Sequence, residues 1–481
     1  MKKINGIIMQ YFEWYMECEQ NLWNNIKEQA KKLSELGITA IWLPPAYKGI
    51  GGANEVGYGA YDLYDLGEFD QKGSIKTKYG SKDEYLECIE VLKQNDIESY
   101  ADIVLNHKMG ADKLQTIPAT KVDWGNHNLQ ISNQETVRVA TKFTFPGRKH
   151  KYSEFEWNWT HFDGIDYDEN SKEHAIFKFK DKNWNNAVDE EFGNYDYLMG
   201  ADIDFNNSEV VEELNKWGKW YLDFTRVDNF RLDAVKHIKS GFMADWIRNM
   251  KESRPNLQCV GEYWNRNIDV LKSYINNTDS TIPLFDVPLH YNFYEASNCN
   301  GNFDFARIFE NTLVKEMPGL AVTFVDNHDT EPGQALFSWI SDWFKPLAYA
   351  LILLRKDGLP CVFYGDYYGI PSQNVCAKKE MLDNMMQIRK QYAYGEQIDY
   401  FDHHDVIAWI RTGDEEHPNS GLVTIMSDGP GGGKTMNVGS RLANSTFYDY
   451  TGNVKETVYV DNEGNGIFYC NGGSVSVWVK K

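Results

Sequence analysis

The stretch Asn229-Phe-Arg-Leu-Asp-Ala-Val-Lys-His-Ile238 alternates Phe230 and Leu232 with Arg231 and Asp233. That is the period-2 pattern of a strand with one apolar and one polar face. Arg231 and Asp233 then project side by side, so the guanidinium can hold the carboxylate ionised and oriented. Lys236 and His237 follow where a strand gives way to a loop. A carboxylate nucleophile needs this setting: charged, fixed in direction and open to a cleft. A structural ion pair at a strand end has the same pattern, because ion-pair networks also perturb pKa values. The residues on either side decide between the two.

Towards the N-terminus, 6–12 reads as a first buried strand. Asn21 caps a helix with Leu22, Ile26, Ala30, Leu33 and Leu36 on one face, closed by Gly37. A second strand over 39–43 ends at Pro44-Pro45, and a long loop rich in Gly and Tyr, containing Tyr58, comes next. Ser81-Lys-Asp-Glu84 is a capping box opening another helix, and 98–106 is a third strand. From 108 to 204 the rhythm breaks, in a stretch carrying Trp124, Trp157, Trp159 and Trp184 among many Asp and Asn residues. A structureless loop of that size is uncommon inside a compact domain, so an inserted irregular or β subdomain is expected.

Towards the C-terminus the alternation resumes. A helix over 208–224 leads into the quoted strand, and further strands are expected over 258–262, 282–286, 321–326 and 361–364. Helices fill the gaps, notably over 303–313, 345–354 and 380–391. This βα rhythm predicts an α/β fold, a closed (β/α)8 TIM barrel. No G-x-G-x-x-G follows a strand to favour an open doubly wound sheet. Beyond Gly395, short alternating strands at 406–411, 421–426 and 473–479 are separated by Gly-rich turns such as Asp428-Gly-Pro-Gly-Gly-Gly433. They predict an all-β ending. The expected division is a barrel of 1–107 and 205–394, an inserted subdomain of 108–204 and a C-terminal antiparallel β domain of 395–481.

A chain of 481 residues is too long for one core. Its formal charge of −21 argues against nucleic acid and anionic membranes as partners, and suits a neutral substrate or bound cations. No apolar run approaches the roughly 20 residues of a membrane span. Aromatics reach 14%, and such flat faces stack on sugar rings, although most serve as core. The seven cysteines form no C-x-x-C pair, which reads as reduced thiols in a reducing compartment. Met1-Lys-Lys begins like a signal peptide, but the apolar run over 4–9 is short and broken by Asn5 and Gly6. A cytoplasmic address is therefore expected.

Chemistry in such a barrel sits at the C-terminal ends of its strands. Those ends carry Asp102 to His107, Arg231 with Asp233, Glu262, and Asp326-Asn-His-Asp329. One structural pair does not account for so many acids and histidines. Two carboxyls flanking a bond is what glycoside hydrolysis requires. Asp233, clamped by Arg231, suits the nucleophile. Glu262, after the near-neutral Cys-Val-Gly, suits the general acid, and Asp329 adds a third anion for an oxocarbenium-like transition state.

The segments Asp102-Ile-Val-Leu-Asn-His107, Phe230-Arg-Leu-Asp-Ala-Val-Lys-His237, Val260-Gly-Glu-Tyr-Trp264 and Phe324-Val-Asp-Asn-His-Asp329 resemble the four signature regions of the α-amylase family, glycoside hydrolase family 13. Met9-Gln-Tyr-Phe-Glu-Trp-Tyr15, Gly193-Asn-Tyr-Asp-Tyr-Leu-Met199 and Phe285-Asp-Val-Pro-Leu-His290 are similar to the liquefying bacterial type, and the likeness spans essentially the whole chain. The resemblance implies retaining endo-hydrolysis of internal α-1,4 bonds in starch, glycogen or maltodextrin by a monomer. Asp233 would be the nucleophile, Glu262 the acid and base, and Asp329 the transition-state stabiliser. His107, Arg231 and His328 would line the cleaved subsite with Tyr58 stacked on its sugar, and Lys236, His237 and Trp264 would lie on the leaving-group side.

It also implies a structural calcium ion held by Asn106, Asp196, Asp202 and the His237 carbonyl, with Asp163 and Asp204 matching further ligands of a Ca–Na–Ca cluster. Where the liquefying enzymes carry an Asp after a Trp, this chain has Trp184-Asn185. Replacing a carboxylate by an amide removes one charge, so one calcium is expected and the second calcium and the sodium are left open. A further site is conceivable from Gly301, His404, Asp405 and Asp428.

Overall fold

The computed structural model describes residues 5–18 and 21–481; residues 1–4, where the leader-like start was read, lie outside the described residues. Eight strands close a parallel barrel in consecutive order. They are β1 (Ile8–Gln10), β2 (Ala40–Leu43), β3 (Glu98–Ile103), β4 (Asn229–Leu232), β5 (Cys259–Gly261), β6 (Leu284–Phe285), β7 (Ala321–Phe324) and β8 (Leu359–Phe363). Register across the central pair sets Arg231 of β4 against Asp102 of β3. On the other side Arg231 faces Val260 of β5. β4 is buried on both faces, as a strand between barrel lumen and outer helices must be. Phe230 points outward and stacks on Trp246 of the outer layer, ring centroids 5.5 Å apart.

Local signals place the helices. Helix α1 (Leu22–Leu36) starts with the Asn21 side chain accepting from the Asn24 N–H and ends at Gly37, which takes φ 98. Helix α2 (Lys82–Gln94) carries the full capping box, Ser81 to the Glu84 N–H and Glu84 back to the Ser81 N–H. Both satisfy amides that have no partner within the helix.

Two expectations need correction. No continuous helix runs over 303–313. There the chain makes a 3-10 turn at Phe305–Arg307 and a short helix at Leu313–Glu316. The reason is tertiary: the Phe305 N–H is drawn to the His404 carbonyl at 2.7 Å, and Asn311 takes a left-handed φ of 56. The strand read over 282–286 shrinks to Leu284–Phe285, because Asp286 turns away to cap the helix Val287–Asn298.

Between β3 and β4 lies a seven-stranded antiparallel sheet. The strands His107–Lys108 and Ala201–Ile203 form its edge beside the barrel and pair Asp202 with His107. Its longest ladder joins Lys113–Asp123 to Glu135–Lys142, whose inward Val137 and Val139 alternate with exposed residues. The chain ends in a six-stranded antiparallel sheet and a two-stranded ribbon, Gly432–Asn437 with Asn465–Cys470. The seven cysteines are all unpaired. Among the described residues no helix is long and apolar enough to cross a membrane.

Candidate active site

Arg231 sits inside the barrel, fully buried, and organises its C-terminal mouth. Its Nη1 reaches Asp102 Oδ1 at 2.8 Å and Asp233 Oδ1 at 2.6 Å, and its Nη2 lies 2.8 Å from Glu262 Oε2. A planar fork with several donors can brace carboxylates on two neighbouring strands at once. Just beyond β4, Ala234 adopts a left-handed φ of 49, and its N–H donates to Glu262 Oε2 at 3.1 Å. This strained turn points Asp233 into the mouth and fixes Glu262 beside it.

One guanidinium does not neutralise the carboxyls gathered here. Burial, opposed by Arg231 and reinforced by repulsion from Glu262 and Asp102, pushes Asp233 up to about 8. Burial and repulsion from Glu262 push Asp329 well above the usual carboxylate range. Carboxyl groups crowded in this way hold their protons more tightly than isolated ones.

Burial disfavours the charged form of the site's histidines. His328 is driven well below its ordinary pKa by burial and by Arg231. Its Nδ1 accepts from Gln10 Nε2 at 3.0 Å, which leaves Nε2–H facing Asp329 Oδ2 at 3.4 Å. Burial also lowers His107, whose Nε2 lies 2.8 Å from the Tyr58 carbonyl. His237, held down to about 3 by burial and Lys236, places Nδ1 2.8 Å from the Tyr195 carbonyl.

A cavity of about 380 Å³ opens over this cluster, lined by Tyr58, His107, Asp233, Lys236, His237, Glu262, Trp264, His328 and Asp329. The structure thus brings together ten of ten expected catalytic and sugar-facing residues when Arg231, beneath the floor, is counted with them. The Lys236 ammonium is engaged by Glu191 at 2.8 Å and by the Trp264 carbonyl at 3.2 Å.

Three residues of the site were not assigned from sequence. Asp102 accepts from Trp42 Nε1 and from the Tyr58 hydroxyl, both at 2.9 Å, besides its bond to Arg231. Trp14 stacks parallel to Tyr58 at 5.9 Å, and Tyr58 parallel to His328 at 4.9 Å, making one aromatic wall. Gln10 sets the His328 tautomer. Asp102 and Trp14 lie in segments the sequence singles out, but their partners are distant in the chain.

The acidic residues expected to hold metal divide. Asp163, Asp196 and Asp202 bring carboxylate oxygens within 4.8 Å of one another. Asn106 adjoins them, its carbonyl accepting from the Ile203 N–H. Asp163 Oδ1, Asp202 Oδ2 and both side-chain atoms of Asn106 are buried without a protein partner among the described residues. Orphaned buried oxygens with acidic charge are the donor set a hard cation takes. Asp204 lies beside the cluster: burial raises the Asp163 carboxyl and the Asp204 charge raises it further by repulsion, and Asp204 is itself paired with Lys182. At the C-terminal interface His403, His404 and Asp405 also cluster, and both carboxyl oxygens of buried Asp428 lack a partner. Gly301, at a left-handed φ of 77, packs against the Asp428 carbonyl, which a Cβ would meet at 3.0 Å.

Clustered carboxyl groups at the C-terminal mouth of a closed barrel, under a cavity walled by aromatic rings, define a glycoside hydrolase. The chain belongs to the α-amylase family. Residues 21–400 match the α-amylase catalytic domain and residues 422–479 the α-amylase C-terminal domain. The chain is 53% identical over 480 residues to an α-amylase of Geobacillus stearothermophilus, covering 99% of this chain and 87% of that protein. It is 45% identical over 492 residues to the cytoplasmic α-amylase of Escherichia coli, covering 99% of both. Its fold matches an Anoxybacillus α-amylase structure with a TM-score of 0.65 at 17% identity, over 99% of this chain and 97% of that one.

Proposed function

We propose that this protein is an endo-acting α-amylase that cleaves internal α-1,4 bonds of starch, glycogen or maltodextrin with retention of configuration. The observation that carries the mechanism is the single guanidinium of Arg231 bracing both Asp233 and Glu262. Carboxyls held on adjacent nitrogens of one fork form a close pair, the arrangement that double displacement needs. Asp233 attacks the anomeric carbon while Glu262 gives its proton to the departing glycosidic oxygen. Glu262, now ionised, takes a proton from water, and the hydroxide formed displaces Asp233. Asp329, with the Nε2–H of His328, grips sugar hydroxyls and offsets positive charge on the ring. Tyr58 and His107 hold that sugar, and Lys236, His237 and Trp264 flank the leaving chain.

In this reading 1–107 with 205–394 form the catalytic barrel, 108–204 the calcium-associated subdomain and 395–481 the C-terminal β domain. Asn106, Asp163, Asp196 and Asp202, with the His237 carbonyl, would hold a structural calcium that ties the inserted sheet to the barrel. Asp204 is left with Lys182. The enzyme works as a monomer in the cytoplasm on glycogen or imported maltodextrin, with no nucleic-acid or membrane partner. The unpaired cysteines and the cytoplasmic E. coli relative support that address.

The test follows soluble amylose with calcium present, comparing loss of iodine colour with release of reducing ends. Rapid colour loss with few new ends is the expected result. Colour loss in step with steadily released ends would reject internal cleavage. Asp233→Asn should cut kcat by about 10⁴-fold or more while maltooligosaccharide binding persists.

A further inference from the structure

We propose that the acidic cluster at the junction of inserted sheet and barrel, read above as the calcium site, takes no second ion: the position beside it is closed to metal by this chain's own Asn185 and Lys182. The proposal rests on the calcium reading above and extends it.

The cluster has two unlike sides. One is composed of oxygens with nothing to bind: Asp163 Oδ1, Asp202 Oδ2 and Asn106 Oδ1 are enclosed and lack a partner among the described residues. On the other, every acceptor is already taken. Asn185 is fully buried, and its Nδ2 donates to Asp163 Oδ2 at 3.0 Å and to Asp196 Oδ2 at 3.1 Å. Its backbone N–H donates to the same Asp196 oxygen at 2.7 Å. The amide nitrogen thus bridges two carboxylates in the way a cation would, with N–H donors in place of positive charge. Its Oδ1 is turned away to accept from Asn206 Nδ2 at 2.9 Å.

Asn206 carries the network on, donating its backbone N–H to Asp204 Oδ1 at 2.9 Å. The other oxygen of Asp204 meets the Lys182 ammonium, which also donates to the Thr160 carbonyl at 2.6 Å. An ammonium with two fixed acceptors supplies the charge compensation that buried carboxylates require. A second ion would have to displace this lysine and reverse an amide whose donors face the carboxylates. A carboxylate at 185 with a neutral residue at 182 would remove both obstacles.

Equilibrium dialysis against calcium followed by elemental analysis counts ions per chain. Lys182→Met/Asn185→Asp should bind one more calcium than the parent; equal counts would overturn the closed position. The C-terminal group around Asp405 and Asp428 contributes equally to both proteins and cancels. In the parent background, Asp163→Asn should lose one equivalent of bound calcium. Loss of two would overturn the single-ion assignment, and loss of none would refute the calcium reading on which it rests.

Discussion

Arg231 contacts Asp102, Asp233 and Glu262 from a fully buried position, so its charge is divided among residues on three strands. Asp102 touches no part of the cavity, yet its anion both orients Arg231 and raises Asp233 by repulsion. Asp102→Asn should therefore lower the pKa of Asp233, which in the proposed mechanism attacks only when ionised. The acid limb of kcat/KM is expected to move to lower pH, measured on a soluble maltooligosaccharide; an unmoved limb would place Asp102 outside the catalytic electrostatics. The same change removes one partner of a buried ion pair and should cost about 3 kcal/mol of stability by denaturant titration. Trp14 backs Tyr58, so Trp14→Ala should loosen the aromatic wall and reduce kcat/KM by about tenfold, mainly through KM. An equal fall confined to kcat would contradict that role.

Among the elements, the strand ends matter more than the strands. Just after β7, Asp326 begins the segment that presents His328 and Asp329, and its carboxylate is anchored by the buried Lys345 ammonium at 2.6 Å. Lys345 also pairs with Asp366 beyond β8. Lys345→Met would leave two buried carboxylates facing each other, with an expected cost of about 3–5 kcal/mol seen as a lower unfolding midpoint. The capping box of α2 is a smaller, separable contribution. Partial burial works against Glu84, but the Ser81 N–H and the Asn21 amide outweigh it and pull its carboxyl down to about 2. A depressed folded pKa stabilises above the unfolded value and is lost as pH falls through the folded one. Ser81→Ala, which keeps that backbone N–H, should cost about 1 kcal/mol with little dependence on pH, whereas the stability lost in Glu84→Ala should shrink towards pH 2 in urea titrations.

At the scale of the whole molecule, the acidic cluster joins two sheets that fold from distant parts of the chain. The strands His107–Lys108 and Ala201–Ile203 pair there, and the buried oxygens around them repel without a cation. Calcium at about 100 times its Kd should add about 2.7 kcal/mol, so chelation is expected to lower Tm and Asp202→Asn to abolish the difference. A Tm indifferent to chelator in the unmodified chain would remove the structural role of the ion.

Alternation in β4, the caps of α1 and α2 and the βα rhythm were enough to place a barrel with Asp233, Glu262, Asp329, His107 and His328 at its mouth. These are local signals: period and capping are written within a few residues, and strand ends inherit their position from strand order. The helix over 303–313 was misjudged because a carbonyl nearly a hundred residues away competes for its backbone. Asp102, Trp14, Gln10, Lys182 and Glu191 gained their roles only in three dimensions. Each acts through a partner that the sequence does not set beside it, and which amide, ammonium or ring meets which carboxylate is decided when the barrel closes and the inserted sheet docks against it.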